Sequence, residues 1–381
     1  LLQFSKYQGL GNDFLLLDWR SLGDGESFVP PDPALVRRLC DRRFGVGGDG
    51  VIVALPPRQG GELRMRIFNA DGSEPEMCGN GIRCLARFLA DSDGDPAGRR
   101  WLVETLAGPI VPELQADGSV RVDMGPPFLD PATIPTSLPV GEKGLPQGEL
   151  EVLGERFAVA AAGMGNPHVV IPVEEVAAVD LERLGASLEI HPAFPARTNV
   201  HFVQVLSPTH LVMRVWERGA GPTLACGTGA CATLVASHML GLCEREARLD
   251  LPGGSLRIHW DDVSGHVFMT GPAEPVFDGV LAPALLQDPA EPFGLAAGEA
   301  ARDTATTEER AVESAIEAAI DCATACVNGC LRPDDCPSAG ARARVEALLA
   351  GRSLDELVAI ATQSAELRGH ARRASDGGFG S

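Results

Sequence analysis

Apolar positions along most of the chain fall into two kinds of run. One kind is short, alternating or β-branched, and bounded by glycine, which reads as strand. The other recurs every three to four residues, which reads as helix. Residues 4–18 form the first pattern, with Gly9-Leu10-Gly11 as a turn between two strands. Residues 33–41 place Leu35, Leu39 and Cys40 at helical spacing. Val51-Ile52-Val53 continues to Ala54-Leu55 as a strand ending at Pro56-Pro57. At 63–68, Leu63, Met65 and Ile67 alternate with Arg64 and Arg66, and a polar turn follows at 69–74. Ile82, Leu85, Ala86 and Leu89, with Cys84 and Phe88 beside them, mark a helix apolar over most of its circumference, hence buried. Strands at 101–105 and 120–124 complete a first lobe.

Residues 125–150, rich in proline and glycine, read as a crossover. The order then repeats. Residues 163–171 echo 9–17, and 197–205 stand where 48–54 stood. The strand at 211–216 matches 63–68, and Glu217-Arg218-Gly219-Ala220-Gly221 takes the place of the turn at 69–73. An apolar helix over 230–240 stops at Gly241, and strands at 255–260 and 266–270 close the lobe. Four elements recurring in one order indicate a tandem duplication. The expected fold is α/β (α+β), with two pseudo-symmetric lobes, each a sheet around a buried helix. Residues 1–124 make the first lobe, with 272–284 returning to it, and 125–271 make the second. Residues 285–381 read as a linker and a helical extension. Thr306 with Glu309, and Ser353 with Glu356, fit capping boxes. Cys322, Cys326 and Cys330 share a helix face, with Cys336 just beyond.

The chain has 381 residues, 45% hydrophobic and 22% charged, enough for two or three domains with packed cores. A formal net charge of −20 argues against nucleic acid or an anionic membrane as partner. No apolar run approaches a membrane span and no signal peptide is visible, so a cytoplasmic enzyme with reduced thiols is expected. Gly45, Gly47 and Gly50 spell a dinucleotide fingerprint, but they lead into a β-branched run instead of a helix, which argues against that reading.

The candidate chemistry lies in two matched stretches, Cys78-Gly79-Asn80-Gly81 and Cys226-Gly227-Thr228-Gly229, each opening an apolar helix. A helix N-terminus favours anions and lowers a cysteine's pKa from about 8.5 into the range of roughly 3.5–7.5. Two such thiols facing one pocket suit removal of a proton from one face of a carbon and its return on the other. That chemistry inverts a stereocentre and needs neither cofactor nor metal. The substrate's α-carboxylate would lie on the two helix N-termini, where developing carbanion charge is stabilised. A lone cysteine is usually a buried core residue; the matched contexts reverse that preference for Cys78 and Cys226. Cys84, Cys231, Cys40 and Cys243 read as core. Nowhere does the chain contain Cys-X-X-Cys, which weakens zinc-ribbon and thioredoxin-like readings. The tail cysteines suit either a packed helix or a soft metal such as Cu(I) or zinc.

The motifs Gly-Asn-Asp-Phe (11–14), Phe-Asn-Ala-Asp-Gly-Ser (68–73), Met-Cys-Gly-Asn-Gly-Ile-Arg-Cys (77–84), Gly-Asn-Pro-His (165–168), Arg-Thr-Asn-Val (197–200), Trp-Glu-Arg-Gly (216–219) and Ala-Cys-Gly-Thr-Gly-Ala-Cys (225–231) carry a resemblance. Across residues 1 to about 284 the chain resembles the diaminopimelate epimerases. These are pyridoxal-phosphate-independent isomerases of lysine and peptidoglycan precursor synthesis. The resemblance implies two lobes with barrel-like sheets around central helices, a homodimer, and diaminopimelate as the small-molecule substrate. Cys78 and Cys226 would be the acid/base pair, exchanging roles with direction. Gly79, Asn80, Gly227 and Thr228 would hold the reacting carboxylate. Asn12, Asn69, Asn166, Asn199, Glu217 and Arg218 would read the far end, Arg218 pairing its carboxylate and Glu217 its ammonium. Some members carry Gln where this chain has Gly50. A proline racemase-like enzyme uses a similar thiol pair and is the near rival; a PhzF-type isomerase shares the fold without the thiols. A thiol-based metal-binding or redox-sensing protein is the alternative from another class.

Overall fold

The computed structural model describes residues 2–21 and 28–286. The helical extension beyond them, with its capping boxes and Cys322, Cys326, Cys330 and Cys336, lies outside the described residues. The described part is mixed α+β, built on two sheets. The first contains β1 (Gln3–Gly9), β2 (Asn12–Asp18), β3 (Gly50–Leu55), β4 (Leu63–Asn69), β5 (Val103–Thr105) and β6 (Gly108–Ile110). The second contains β7 (Pro112–Leu114), β8 (Val120–Asp123), β9 (Gln147–Val152), β10 (Glu155–Gly163), β11 (Pro167–Pro172), β12 (Asn199–Ser207), β13 (His210–Glu217), β14 (Gly221–Thr223), β15 (Glu246–Leu251), β16 (Gly254–Trp260) and β17 (Val267–Gly271). A last strand, β18 (Glu274–Val280), returns to pair with β1.

The ladder senses repeat. From β1 to β6 successive pairings run antiparallel, parallel, antiparallel, parallel, antiparallel. From β10 through β11, β12, β13 and β15 to β16 they do the same. Each parallel join needs a crossover. These are α1 (Pro33–Cys40), α2 (Gly79–Asp93), α3 (Leu181–Glu189) and α4 (Gly227–Met239). The helix α3 is the counterpart of α1, and the sequence reading passed over it. Its apolar residues Leu181, Leu184 and Leu188 pack on the outer face of the second sheet, as Val36, Leu39 and Cys40 of α1 pack on the first. Strands β2 and β3 are therefore covered on both faces. That is why their sequences are continuous apolar runs and not alternating ones.

Between the sheets, Ile82, Leu85 and Leu89 of α2 share one core with Ala230, Leu234 and Val235 of α4. The second sheet bends around α4, which packs against β10–β12 and also against β15–β17. Among the described residues the end strands of each sheet (β18 and β6, β7 and β9) do not pair with each other. One expectation is corrected. The strand at 120–124 does not complete the first lobe, because β8 pairs antiparallel with β17 in the second sheet, Val122 opposite Met269. Val120 and Val122 are fully buried in the shared core, so the apolar face is satisfied on either sheet and sequence order does not choose between them.

The β1–β2 and β15–β16 hairpin tips touch. A Cβ on Gly253 would lie 2.0 Å from the Leu10 carbonyl oxygen. The Gly253→Ala variant is therefore expected to lose about 1–3 kcal/mol through overpacking and to push aside the tip that carries Asn12. A thermal melt matching the wild type would show that this contact is not formed.

Candidate active site

Both central helices of the core begin at a cysteine. Cys78 is the N-cap of α2, with φ −138° and ψ 119°, and its Sγ accepts from the Gly81 N–H at 3.4 Å. Cys226 caps α4 in the same way, with φ −127° and ψ 108°, and accepts from the Gly229 N–H at 3.4 Å. The two N-termini face each other. A Cβ on Gly79 would come within 3.9 Å of the Gly227 Cα, and one on Gly227 within 3.8 Å of the Gly79 Cα. The tight neighbour of both glycines is Met269, whose side chain would lie 3.1 Å from a Cβ on Gly79 and 2.9 Å from one on Gly227. Two helix ends, each with first-turn N–H groups unspent, thus point at one place and favour an anion there.

That place is a cavity of about 890 Å³. Its walls bring together Cys78, Cys226, Asn12, Asn69, Gly79, Asn80, Asn166, Glu217, Arg218, Gly227 and Thr228. Asn199 is not among them. It is buried; its amide donates to the Pro167 carbonyl at 2.9 Å and accepts from the Arg218 N–H at 2.9 Å. It sets the backbone of Arg218 and does not reach the cavity itself. Arg42 and Asp49, which the sequence reading did not single out, also line the cavity. Asp49 accepts from Asn12 Nδ2 at 2.8 Å and from Arg42 at 2.8 Å. This leaves Asn12 Oδ1 turned towards Asn80 Nδ2 at 3.1 Å and Cys78 Sγ at 4.0 Å. The signal for Asp49 was its Gly-Gly-Asp-Gly turn, read only as a failed dinucleotide motif. At Gly50 a Cβ would lie 2.6 Å from the Phe68 carbonyl oxygen, so this backbone excludes a side chain there.

The expected lowering of the thiol pKa values is corrected. Burial pushes the Cys78 thiol up, and the Gly81 and Asn80 N–H groups only partly pull it back. Burial pushes Cys226 well above the ordinary thiol range, and the neighbouring Glu217 carboxylate adds to this. Desolvation therefore outweighs the helix-terminus effect at both sulfurs. Burial also raises the Glu217 carboxyl, against hydrogen bonds from Thr223 and Cys226. The Thr223 hydroxyl donates to Glu217 Oε1 at 2.5 Å. Cys84 and Cys231 are fully buried within their helices.

Behind Asn166 stand two fully buried histidines. His168 Nε2 is 2.7 Å from Asn166 Oδ1, and His168 Nδ1 is 2.8 Å from His201 Nε2. An amide oxygen only accepts, so His168 donates from Nε2 and accepts at Nδ1, and His201 donates from Nε2. Burial holds both imidazoles neutral. His168 lies well below its ordinary value, and His201 is down to about 3. The unfolded chain binds these protons below about pH 6.5 and the folded chain does not. Stability is thus complete above pH 6.5 and falls as pH drops; His201 alone costs about 2 kcal/mol at pH 5. Urea melts at pH 7 and pH 5 should show this loss, and His201→Phe should reduce it. Equal stability of the wild type at both pH values would contradict the neutral pair.

Among the described residues no group of three or more His, Cys, Asp and Glu side chains is placed to hold a metal. No described helix is long and apolar enough to cross a membrane.

A sequence model of the family described as diaminopimelate epimerase matches residues 4–129 and 160–276. The diaminopimelate epimerase of Prochlorococcus marinus (strain MIT 9313) is 61% identical over 291 residues, covering 76% of this chain and 96% of that protein. That of Acaryochloris marina (strain MBIC 11017) is 54% identical over 281 residues, covering 73% of this chain and 98% of that protein. Among solved structures, a probable proline racemase from Agrobacterium radiobacter K84 aligns with a TM-score of 0.55 at 17% identity, over 77% of this chain and 95% of that one. At that identity the likeness concerns the fold.

Proposed function

The chain belongs to the diaminopimelate epimerase family, and on that premise we propose that it interconverts LL- and meso-diaminopimelate by removing the α-proton with one thiolate and returning a different proton from a second thiol. The observation that carries this reading is the pair of N-cap cysteines at facing helix ends in one cavity. One sulfur, as thiolate, takes the α-proton from one face of the carbon. The other, as thiol, gives a proton to the opposite face. The C–H electron pair is held meanwhile as a carbanion conjugated with the α-carboxylate. The N–H groups of Gly79, Asn80, Gly227 and Thr228 stabilise the charge that spreads onto the carboxylate oxygens. This is the help that pyridoxal phosphate gives in other amino-acid racemases, so the mechanism calls for no cofactor.

Arg218, Asn69 and Asn166 recognise the second carboxylate and ammonium, with Asn199 acting through Arg218. Glu217 stands beside Cys226 and so serves the reacting end as well as the ammonium. These charged walls favour a long, doubly zwitterionic substrate over proline. The place of the reaction is lysine and peptidoglycan precursor synthesis in the cytoplasm. The assembly is a homodimer, joined through the edge strand β18, where Val276, Phe277 and Val280 are exposed. By sheet membership the two lobes divide between β6 and β7.

The test is exchange in deuterated water. LL-diaminopimelate should yield meso product with deuterium at the new stereocentre. Exchange with proline and not with diaminopimelate would transfer the chain to the racemase reading, and exchange with neither would refute both.

A further inference from the structure

The two halves of the site differ five residues beyond each cysteine. The first helix has Arg83 there, and the second has Cys231. The Arg83 side chain is fully buried, and among the described residues it makes no ion pair. A buried cation ordinarily has a carboxylate partner. Here the guanidinium instead donates to the carbonyls of Gly79 (3.1 Å) and Pro272 (3.3 Å) and to Asn80 Oδ1 (2.9 Å), and lies 3.5 Å from Met269 Sδ. Its cage is shaped for it. A Cβ on Gly9 or on Gly271 would each come within 3.3 Å of its nitrogens.

The charge sits directly behind Cys78, since it bonds the two residues that follow that sulfur. The groups acting on Cys78 are the Gly81 and Asn80 N–H groups, the Glu217 carboxylate, which opposes its ionisation, and Arg83, which favours it. Those facing Cys226 are Glu217, the Thr228 hydroxyl, the Gly229 N–H and Cys78. The remaining titratable neighbours of Arg83 are the thiols of Cys84 and Cys231, both neutral because burial pushes them up to about 12. The duplicated site therefore has one carboxylate that acts on both sulfurs and a buried cation that acts on Cys78 alone of the pair.

We propose that Arg83 is a positioning residue that supplies the missing counter-charge of the anionic site, so that Cys78 is the thiol of the pair that ionises first and Cys226 the one that stays protonated. The inference deepens the two-thiol reading by assigning the resting roles. A turnover that leaves the thiolate on Cys226 is followed by return of the proton, because only Cys78 has a buried cation on its own helix. The same charge helps to hold the substrate's α-carboxylate on the two N-termini.

The experiment is alkylation of the full chain with iodoacetamide across pH, each cysteine followed by peptide mass spectrometry. Access alters a thiol's maximal rate but not the pH at which its rate is half maximal, so two thiols of unequal exposure can be compared. Cys78 should reach half-maximal rate at least one pH unit below Cys226. Arg83→Gln should raise the Cys78 midpoint by one unit or more without raising that of Cys226, and move the acid limb of kcat/KM upward by the same amount. Arg83→Lys should keep the Cys78 midpoint near wild type. Ionisation of Cys226 before Cys78 overturns the assignment, as does an Arg83→Gln variant with an unshifted Cys78. If Arg83→Gln does not fold, the order of the two wild-type midpoints still decides. Alkylation needs no substrate, so a failure of the epimerase reading would appear in the exchange assay and not here.

Discussion

Cys78→Ala and Cys226→Ala are each expected to abolish interconversion of LL- and meso-diaminopimelate, with a loss of about 10⁴-fold or more. A positioned acid or base contributes roughly 10²–10⁴-fold, and inversion needs both at once. Neither can substitute for the other, because the two sulfurs cap different helices whose ends converge on the cavity from opposite sides. The loss should be chemical and not structural. Each cysteine is an N-cap whose sulfur accepts only weak N–H bonds, from Gly81 and Gly229 at 3.4 Å, so the cost to folding stays within the ordinary range for a cap, about 0.5–2 kcal/mol. Serine at either position keeps the cap and should keep the melting temperature, yet it lacks a readily ionised proton acceptor and should remain far below wild type. A variant with one sulfur can still wash deuterium into the stereoisomer whose α-hydrogen faces that sulfur, without inverting it. Interconversion within tenfold of wild type by either alanine variant would remove the two-base mechanism.

The sequence was most informative where one interaction dominates. The β2 and β3 runs could be read as strands because both faces are covered and the stretches Phe14–Leu17 and Val51–Leu55 are continuously apolar. The α4 helix could be read as buried because no polar stripe interrupts it, and α2 because its apolar residues cover most of its circumference. The cysteines stood out because the duplication showed the same turn twice. What escaped notice depends on choices between partners. Val120 and Val122 suit a strand on either sheet, and only the three-dimensional path gave β8 to the second. The α3 helix has the same outer-face role as α1, but its short run, Leu181 to Leu188, followed a stretch with no strong helix signal. Asn199 belongs to a recognisable motif, yet its amide is spent on Pro167 and Arg218 and not on the cavity. The thiol environment misled for a physical reason. The helix-terminus effect can be inferred from a turn sequence, whereas desolvation depends on everything else that packs around the sulfur. Arg83 shows the same limit. Its sequence neighbours look like any amphipathic helix, and only its full burial without a carboxylate marks it as unusual.

Mild oxidation should silence the enzyme completely and reversibly. All six described cysteines are free thiols. Cys84 and Cys231 are fully buried inside helices, Cys40 and Cys243 are buried, and none of these four lines the cavity. Cys78 and Cys226 differ, since both open onto the cavity from facing helix ends. A disulfide between them would give up two protons and two electrons to an oxidant such as diamide. It would consume the base and the acid together and block the place of the α-carboxylate. Activity should fall to background, a Cys78–Cys226 cross-linked peptide should appear, and dithiothreitol should restore both the thiols and the rate. Replacing Cys322, Cys326, Cys330 and Cys336 with serine should leave this response unchanged, which separates it from any chemistry of the C-terminal extension. Full oxidation of the two N-cap thiols with activity retained would contradict their assignment as acid and base. Inactivation that disappears with the four serine substitutions would move the redox response to the extension and leave the site's thiols too far apart to join.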